Sequence, residues 1–345
     1  MNITRIGLDL AKSVFQVHAV DHKGHRLFSR ALKREKMMAF FQNLSPCLIG
    51  MEACASAHFW ARTLMAMGHE VKLIAPQFVK PYVKGNKNDA NDAEAICEAV
   101  SRPNMRFVPV KTVEQQDIQA LHRIRQEQVR QRTALVNQIR GLLSEYGIVI
   151  SRRVESLRNA LPDILEDAEN KLTADFRILL KGLQEDLIHL DDRIGSQDQV
   201  IKRLAQEHEG AKRLQQLRGI GPITATALIA AIGDGRQFAR GRDAAAWCGL
   251  VPGQHSSGGK SKLLGISKRG DTYLRTLMIH GARAVLRYPQ NKDDRLSQWL
   301  QKLCNRRNKN IAAVALANKT MRMAWALLVR GQDYDPNFGY KTGSA

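Results

Sequence analysis

The spacing of apolar residues divides the chain into three parts with different patterns. In the first hundred residues, short alternating apolar runs predict strands, and apolar residues spaced three and four apart predict helices. The predicted strands cover 3–10, 14–20, 25–32, 47–53 and 70–75, and the predicted helices cover 34–43, 58–67 and 89–100. Three strands followed by alternating helices and strands indicate one central mixed sheet covered by helices.

The middle third has a purely helical pattern. Residues 113–146 and 172–207 carry leucines and isoleucines at helical spacing, with dense charge between them. This pattern predicts two long helices that pair as an antiparallel hairpin or coiled coil, with a break around Pro162. A charged helical pair of this kind is typical of a spacer or an assembly surface.

The last third begins with a glycine-rich turn and continues as short helices. Gly219-Ile220-Gly221-Pro222 precedes predicted helices over 223–232, 244–248, 272–286, 295–305 and 311–328. A segment rich in glycine, serine and lysine between Gly253 and Gly270 predicts a flexible loop. We therefore expect domains at 1–110, 111–210 and 211–330, and an irregular tail over 331–345.

Charge indicates the class of partner. The 345 residues carry a formal net charge of +20, which favours polyanionic partners. Residues 211–345 hold 23 Lys and Arg against 7 Asp and Glu, whereas residues 1–110 hold 15 against 9. A charge that serves solubility alone is usually interspersed with its opposite.

Cysteine usage and hydropathy indicate the compartment. The five cysteines form no Cys-x-x-Cys pair, which argues against a zinc site and a disulfide framework and fits a reducing cytoplasm. No apolar run approaches the roughly 20 residues of a membrane span. We expect a soluble cytoplasmic protein.

Four acidic residues are candidates for a metal site. Asp9 and Glu52 each end a predicted strand, and Asp89 and Asp92 stand three residues apart at the start of a predicted helix, on one face. If the first and fourth strands are neighbours, these carboxylates converge. A cleft of oxygen ligands suits Mg²⁺, with Mn²⁺ able to substitute, and such ions can activate the attacking oxygen and stabilise the leaving oxygen of a phosphodiester.

These acids and their surroundings resemble a known family. Gly7-Leu8-Asp9-Leu10-Ala11-Lys12, Met51-Glu52-Ala53, the segment from Lys87 to Ala93, Gly219-Ile220-Gly221-Pro222, Gly249-Leu250-Val251-Pro252 and Ser256-Ser257-Gly258 are similar to motifs of the DEDD insertion-sequence transposases and related site-specific invertases. The resemblance covers nearly the whole chain. One departure is Ala53-Cys54-Ala55-Ser56, where many members have Thr-Gly after the glutamate.

The resemblance implies a fold and an activity. The implied fold of the N-terminal domain is an α/β ribonuclease-H-like (RuvC-like) mixed sheet. The residue pattern adds a helical coiled-coil hairpin and a mainly helical C-terminal domain, in which Gly219-Ile220-Gly221 between helices suits a helix–hairpin–helix. The implied activity is cleavage and rejoining of DNA at insertion-sequence ends, in a prokaryotic cell and at its nucleoid. A structured noncoding guide RNA and a homo-oligomer, dimer or tetramer, are the further partners that it implies.

The resemblance also assigns roles in the C-terminal third. It implies that Ser257 is the nucleophile that becomes joined to the cut DNA end, working with the carboxylate cluster; by chemistry alone Ser256 is an equal candidate. Backbone N–H groups of Gly219 and Gly221 are candidates for phosphate contacts. Candidate phosphate-binding side chains are Lys260, Lys262, Lys268 and Arg269.

Two other functions fit parts of the sequence. A Holliday-junction-resolvase-like endonuclease would use the same four acids for hydrolysis, without a covalent intermediate. An actin-like sugar or acetate kinase also carries Gly-x-Asp near its N-terminus. That fold needs a second, glycine-rich phosphate-binding half, and residues 111–210 predict charged helices instead.

Overall fold

The chain forms two compact units, residues 1–113 and 114–345. The computed structural model describes residues 2–86, 88–287 and 294–336. Lys87, which belongs to the motif around Asp89, and most of the tail predicted over 331–345 lie outside these residues. The further division near residue 210 stays a prediction.

Unit 1 is a mixed α/β unit. Its elements in chain order are β1 (Arg5–Asp9), β2 (Val14–Val20), β3 (Arg26–Lys33), α1 (Met37–Gln42), β4 (Leu48–Glu52), α2 (Ala57–Ala66), β5 (Glu70–Ile74), α3 (Pro76–Val79), α4 (Asp89–Val100) and β6 (Phe107–Val108), with single 3-10 turns at Arg34–Lys36 and Lys80–Tyr82.

One six-stranded sheet organises unit 1. The strand order is β3-β2-β1-β4-β5-β6, with β1, β4 and β5 parallel and the remaining pairs antiparallel. Ile6, Gly7 and Leu8 are buried in succession along β1, which means that helices cover both faces of the sheet. The predicted central mixed sheet is confirmed, and the architecture fits a ribonuclease-H-like fold. The two-residue strand β6 is too short for a periodic signal.

Unit 2 is mainly helical. Its elements are α5 (Val113–Ser144), α6 (Val154–Glu166), α7 (Ala174–Glu207), α8 (Glu209–Gln215), α9 (Pro222–Ile232), α10 (Gly241–Trp247), β7 (Pro252–Ser257), β8 (Lys260–Ile266), α11 (Thr272–Arg287), α12 (Arg295–Arg306) and α13 (Lys309–Arg330). None of the helices in the described ranges is both long and apolar enough to cross a membrane.

The two long helices α5 and α7 run antiparallel. Arg125 Nε lies 2.6 Å from Asp198 Oδ1, and Arg132 Nη1 lies 3.0 Å from Asp191 Oδ1, so residue numbers rise along one helix as they fall along the other. α6 packs against the C-terminal half of α5 and the N-terminal half of α7, through Leu157 and other leucines.

Two sequence predictions in unit 2 were wrong. Pro162 does not break the helical region but lies inside α6; the buried neighbours Leu157 and Leu161 hold this helix despite the lost backbone hydrogen bond. The segment from Gly253 to Gly270 is not a flexible loop, because β7 and β8 pair as a hairpin across it. Gly258 (φ +55°) and Gly259 (φ +75°) supply the two left-handed residues of a tight hairpin turn.

Candidate functional site

Asp9 and Glu52 end two neighbouring strands. β1 pairs in parallel with β4, and Leu8 is the register partner of Met51. Because Asp9 follows Leu8 and Glu52 follows Met51, both carboxylates lie at the carboxyl edge of the sheet. Both residues are half-buried, which places them at the rim of the sheet and not in its core.

The other two acids lie in the first turn of α4. Asn88 caps this helix, since its side-chain oxygen accepts the N–H of Asn91 at 2.8 Å. The side-chain amide of Asn91 (Nδ2) donates to the backbone carbonyl of Asn86 at 2.7 Å, and this bond joins the preceding segment to the helix. Asp89 and Asp92 therefore stand at a capped helix N-terminus, where the helix dipole stabilises negative charge.

Two glycines bring α4 against the sheet. A Cβ atom on Gly7 would lie 2.0 Å from the carbonyl oxygen of Ala93 and 2.5 Å from the backbone N of Cys97. A Cβ atom on Gly50, the register partner of Gly7, would lie 2.8 Å from Cβ of Val100. The backbone of α4 thus rests directly on β1, and the Val100 side chain rests on β4. These contacts set the position of the acidic first turn of α4.

The pKa of Asp9 shows that the other three acids act on it. Burial and, in decreasing order of effect, the negative charges of Asp92, Asp89 and Glu52 together raise the pKa of Asp9 from 3.8 to about 6. A hydrogen bond from the backbone of Leu10 acts in the opposite direction. Raised pKa values from mutual repulsion are typical of carboxylates gathered at a functional site.

The four carboxylates are close enough to affect the pKa of Asp9 but, as they stand, too far apart to bind one metal ion together. Over the described ranges, no three His, Cys, Asp or Glu side chains converge closely enough to hold a metal ion as they stand. Carboxylates that repel each other rotate apart unless a cation lies between them. The donor set, four carboxylates without nitrogen or sulfur, fits a hard cation such as Mg²⁺ after side-chain rotation.

The second group of predicted residues lies on the β7–β8 hairpin of unit 2. Ser257 is the register partner of Lys260, and His255 is the partner of Lys262. Residues opposite each other or two apart share a face of a hairpin. Ser257 therefore shares its face with His255 and both lysines, all of them exposed near the tip.

The hairpin separates the two candidate serines. Ser256 pairs with Ser261 on the opposite face, and Gln254 Nε2 donates to the Ser256 hydroxyl at 2.6 Å. Ser256 is thus held in an amide and hydroxyl environment, whereas Ser257 lies among basic side chains. This difference favours Ser257 as the reactive hydroxyl, since nearby cations stabilise an alkoxide and attract phosphate.

A buried arginine fastens the base of the hairpin. Arg275, which is 8% exposed, donates to the carbonyl of Cys248 at 3.3 Å and to the carbonyl of Arg269 at 3.2 Å. It also donates to the Thr272 hydroxyl at 3.0 Å. Because Cys248 precedes the hairpin and Arg269 follows it, one guanidinium joins both ends. Lys268 and Arg269 lie at this base and not at the tip.

The glycine-rich turn before α9 has a packing role that the sequence did not indicate. A Cβ atom on Gly281 would lie 2.0 Å from the carbonyl oxygen of Gly219, so the turn presses on the backbone of α11. Gly219 has φ +85°, a value that glycine adopts without strain. Gly221, by contrast, has open space at its Cβ position, and it is exposed.

Sequence reasoning missed Gly7, Gly50 and Arg275. An isolated glycine inside a strand pattern is a signal of close backbone approach and identifies the first two. Arg275 carries no such signal, because a basic residue on a helix is usually solvent-exposed.

Comparisons with known proteins match two parts of the chain to transposase families. Residues 6–148 match a family model of DEDD transposases of the IS110 type, described as "Transposase", and residues 211–297 match one described as "Transposase IS116/IS110/IS902 family". The first match contains the four acids and the second contains Ser257.

Relatives extend the similarity over the whole chain. The chain is 55% identical to a "Probable family 20 transposase" of Pseudomonas aeruginosa, over 97% of this chain and 100% of the relative. It is 48% identical to the "Transposase for insertion sequence element IS1111A" of Coxiella burnetii, over 96% and 92%. A "Pilin gene-inverting protein" of Moraxella bovis is 23% identical over 97% and 98%. The chain belongs to the IS116/IS110/IS902 family of insertion-sequence transposases.

Proposed function

We propose that this transposase cleaves and rejoins DNA at insertion-sequence ends by a covalent mechanism that uses two sites. In this mechanism Asp9, Glu52, Asp89 and Asp92 hold Mg²⁺, and Ser257 is the nucleophile. The observation that carries the proposal is the raised pKa of Asp9, which three further carboxylates at one sheet edge help to produce. Such a cluster is stable as four anions only beside a cation.

The two sites have different chemical tasks. Mg²⁺, when bound, neutralises the charge that develops on the phosphate oxygens. The Ser257 hydroxyl gives up its proton and its oxygen forms a bond to phosphorus while a bridging P–O bond of the DNA breaks. The released DNA oxygen takes up a proton, so the step is balanced. In the return step a DNA hydroxyl attacks the same phosphorus, gives up its proton and releases the serine hydroxyl. Lys260 and Lys262 on the Ser257 face attract the phosphate.

Matched variants test the covalent step. Ser257→Ala is expected to abolish strand transfer and the covalent protein–DNA species on gels, because no oxygen remains to hold the DNA end. Ser256→Ala, one residue away on the other face, should retain both. Strand transfer at full yield in Ser257→Ala refutes the covalent mechanism. Cleavage without any covalent species, in both variants, establishes the hydrolytic endonuclease of the Holliday-junction-resolving type instead.

The metal task has its own test. Asp9→Asn or Asp92→Asn is expected to abolish Mg²⁺-dependent cleavage and to leave DNA binding intact. Neither acid lies in unit 2, whose residues 211–345 carry most of the positive charge. Glu35→Gln, which removes one exposed charge of unit 1 away from the sheet edge, should cleave normally. Retained cleavage in Asp9→Asn removes the carboxylates from the mechanism.

The proposal also includes an oligomer in which the carboxylates of one subunit act with the serine of another. The α5–α7 pair would serve as a coiled-coil assembly arm. Mixing two inactive variants, Asp9→Asn and Ser257→Ala, should then restore part of the strand transfer, because some assembled sites contain an intact acid cluster and an intact serine. No recovery in co-expressed, co-purified mixtures argues for sites within one chain.

Two nucleic-acid contacts complete the proposal. Gly221 and Gly219, as part of a helix–hairpin–helix, would offer backbone N–H groups to phosphate, and the open surroundings of Gly221 suit this contact better. A structured noncoding guide RNA is the second expected ligand, supported by the net charge of +20. Sequencing RNA that copurifies with the protein from its native host tests it. Absence of element-encoded RNA contradicts it.

A further inference from the structure

α12 and the loop after it carry basic residues and no acidic ones. Residues 295–332 contain eight Lys and Arg and no Asp or Glu. Seven of these bases are exposed, and the five from Arg295 to Lys309 form what we call the α12 basic face. They are Arg295, Lys302, Arg306, Arg307 and Lys309.

Helical geometry aligns part of this face in a stripe. Arg295, Lys302 and Arg306 are separated by seven and four residues, which places them within about 40° of one another around the helix. At about 1.5 Å of rise per residue, the stripe is roughly 16 Å long. On the other side of α12, Ser297, Leu300 and Leu303 are buried.

Amide side chains border the stripe. Gln298, Gln301 and Asn305 are exposed along one edge of it. The exposed residues of α12 are thus Lys, Arg, Gln and Asn only, with the half-buried Trp299 beside the stripe. Arginine and lysine bind phosphate and guanine edges, and amides bind adenine edges, so this set of side chains is that of a helix that lies in the major groove of DNA.

Apart from Arg306, which stands in the last turn of α12 where the helix dipole favours a cation, the face does not stabilise its own helices. Arg295 stands in the first turn of α12 and Lys309 in the first turn of α13, where the helix dipole disfavours cations. Lys302 and Arg306 repel each other at a spacing of four. An intramolecular role would require acidic partners, and within the described parts of the chain Lys302, Arg306, Arg307 and Lys309 form no ion pair.

The long helices provide the contrast. On α5, Arg125 and Arg132 are matched by Asp198 and Asp191 of α7. These arginines therefore neutralise acids of their own unit. Among the described residues, Asp294 is the acid that precedes α12, and it is already engaged as the helix cap and by Arg218. It therefore does not neutralise Lys302, Arg306, Arg307 or Lys309.

We infer that the α12 basic face binds the backbone of double-stranded DNA, as a contact separate from the hairpin and from the Gly219–Gly221 turn. The inference rests on the proposed function only in taking DNA as a ligand of this protein. Charge complementarity selects a polyanion, and the regular, amide-bordered helix selects a B-form duplex, whose major groove admits an α-helix, over A-form RNA, whose major groove is too narrow.

The test is the salt dependence of binding to a 30-base-pair duplex of arbitrary sequence, measured by fluorescence anisotropy in EDTA. The variant is Lys302→Gln, Arg306→Gln, Arg307→Gln. Each lost phosphate contact removes about 0.9 from the slope of log K against log salt concentration, so the triple variant should lose about 2.7. A control with the same charge change on and before α7, Lys171→Gln, Lys181→Gln, Lys202→Gln, should keep the wild-type slope.

Three results would overturn the inference that the α12 basic face binds duplex DNA. An unchanged slope in the α12 variant, or an equal fall in the control, overturns the inference. A fall of about 2 with a 30-nucleotide RNA, with the duplex slope unchanged, assigns the face to RNA and also overturns it. Circular dichroism melting of the variant confirms that it is folded. Because EDTA prevents metal-dependent chemistry, a failure of the cleavage mechanism leaves this measurement unaffected.

Discussion

Replacing Asp9 by asparagine should stabilise the metal-free protein. Repulsion and burial raise the pKa of Asp9 from 3.8 to about 6, so ionised Asp9 is disfavoured in the folded state. The shift corresponds to about 3 kcal/mol at full value, and solvent screening at this half-buried side chain reduces it to about 1.5 kcal/mol. Asparagine is neutral and can still accept the Leu10 N–H, so it avoids this cost.

The pH dependence gives the sign of the effect. A pKa that is higher in the folded state means that the folded protein binds the proton more tightly than the unfolded chain. The stabilisation from protonated Asp9 is therefore complete below about pH 4 and is lost as pH rises through about 6. The wild type and Asp9→Asn should match in stability at pH 4, and the variant should be more stable by about 1.5 kcal/mol at pH 8.

Hydrogen exchange of β1 and α4 amides in EDTA measures this difference where it arises. Glu35→Gln serves as the control, because it removes an exposed negative charge from the same unit. Addition of Mg²⁺ should then slow exchange in the wild type and have little effect in Asp9→Asn, since a ligand stabilises only the state that binds it. Faster exchange in metal-free Asp9→Asn than in the wild type at pH 8 refutes the repulsive cluster.

Three further predictions concern packing and burial. Gly7→Ala places Cβ 2.0 Å from a carbonyl oxygen of α4, so it should destabilise unit 1 by about 1–3 kcal/mol or more and abolish cleavage. The control Gly141→Ala lies in open space on α5 and should be neutral or slightly stabilising. Equal melting temperatures of the two variants contradict this prediction. Arg275→Met should cost about 1–3 kcal/mol and speed hydrogen exchange in β7 and β8, since two buried carbonyls lose their donor; unchanged exchange removes its role at the hairpin base. The pKa of His122 is lowered by burial to about 4, so unit 2 should lose stability as pH falls from 6.5 to 4, by up to about 3 kcal/mol, and His122→Gln should flatten that pH profile in urea titrations.

The central sheet could be predicted because its strands have a strong local signal. Alternation and glycine or aspartate turns located five of its six strands, and the ends of β1 and β4 placed Asp9 and Glu52 together once the strands proved to be neighbours. The start of α4 was equally visible, because Asn88 and the acids that follow it form a capping sequence.

Other features depend on contacts between distant residues, which a single sequence does not show. α6 has apolar residues at helical spacing, but Pro162 within it is a residue that usually ends a helix. The contacts of its buried leucines with the cluster formed by α5 and α7 outweigh that preference. The β7–β8 hairpin has glycines and lysines typical of loops, and Arg275, more than ten residues after Ser257, fastens its base. Periodicity reports a residue's own element and not the element on which it packs.

The length of the helical arm has a mechanical consequence. The 34 residues of α7 extend over about 51 Å, as far as about 15 base pairs of DNA. At that radius, a rotation of 5° at the α8 end displaces the α6 end by roughly 4 Å. A partner that binds the α6 end of α7 can therefore rotate the α8 end by a small shift of its own position. A substitution near Leu157 or Leu161 would change the orientation of α7 without contacting any reacting group.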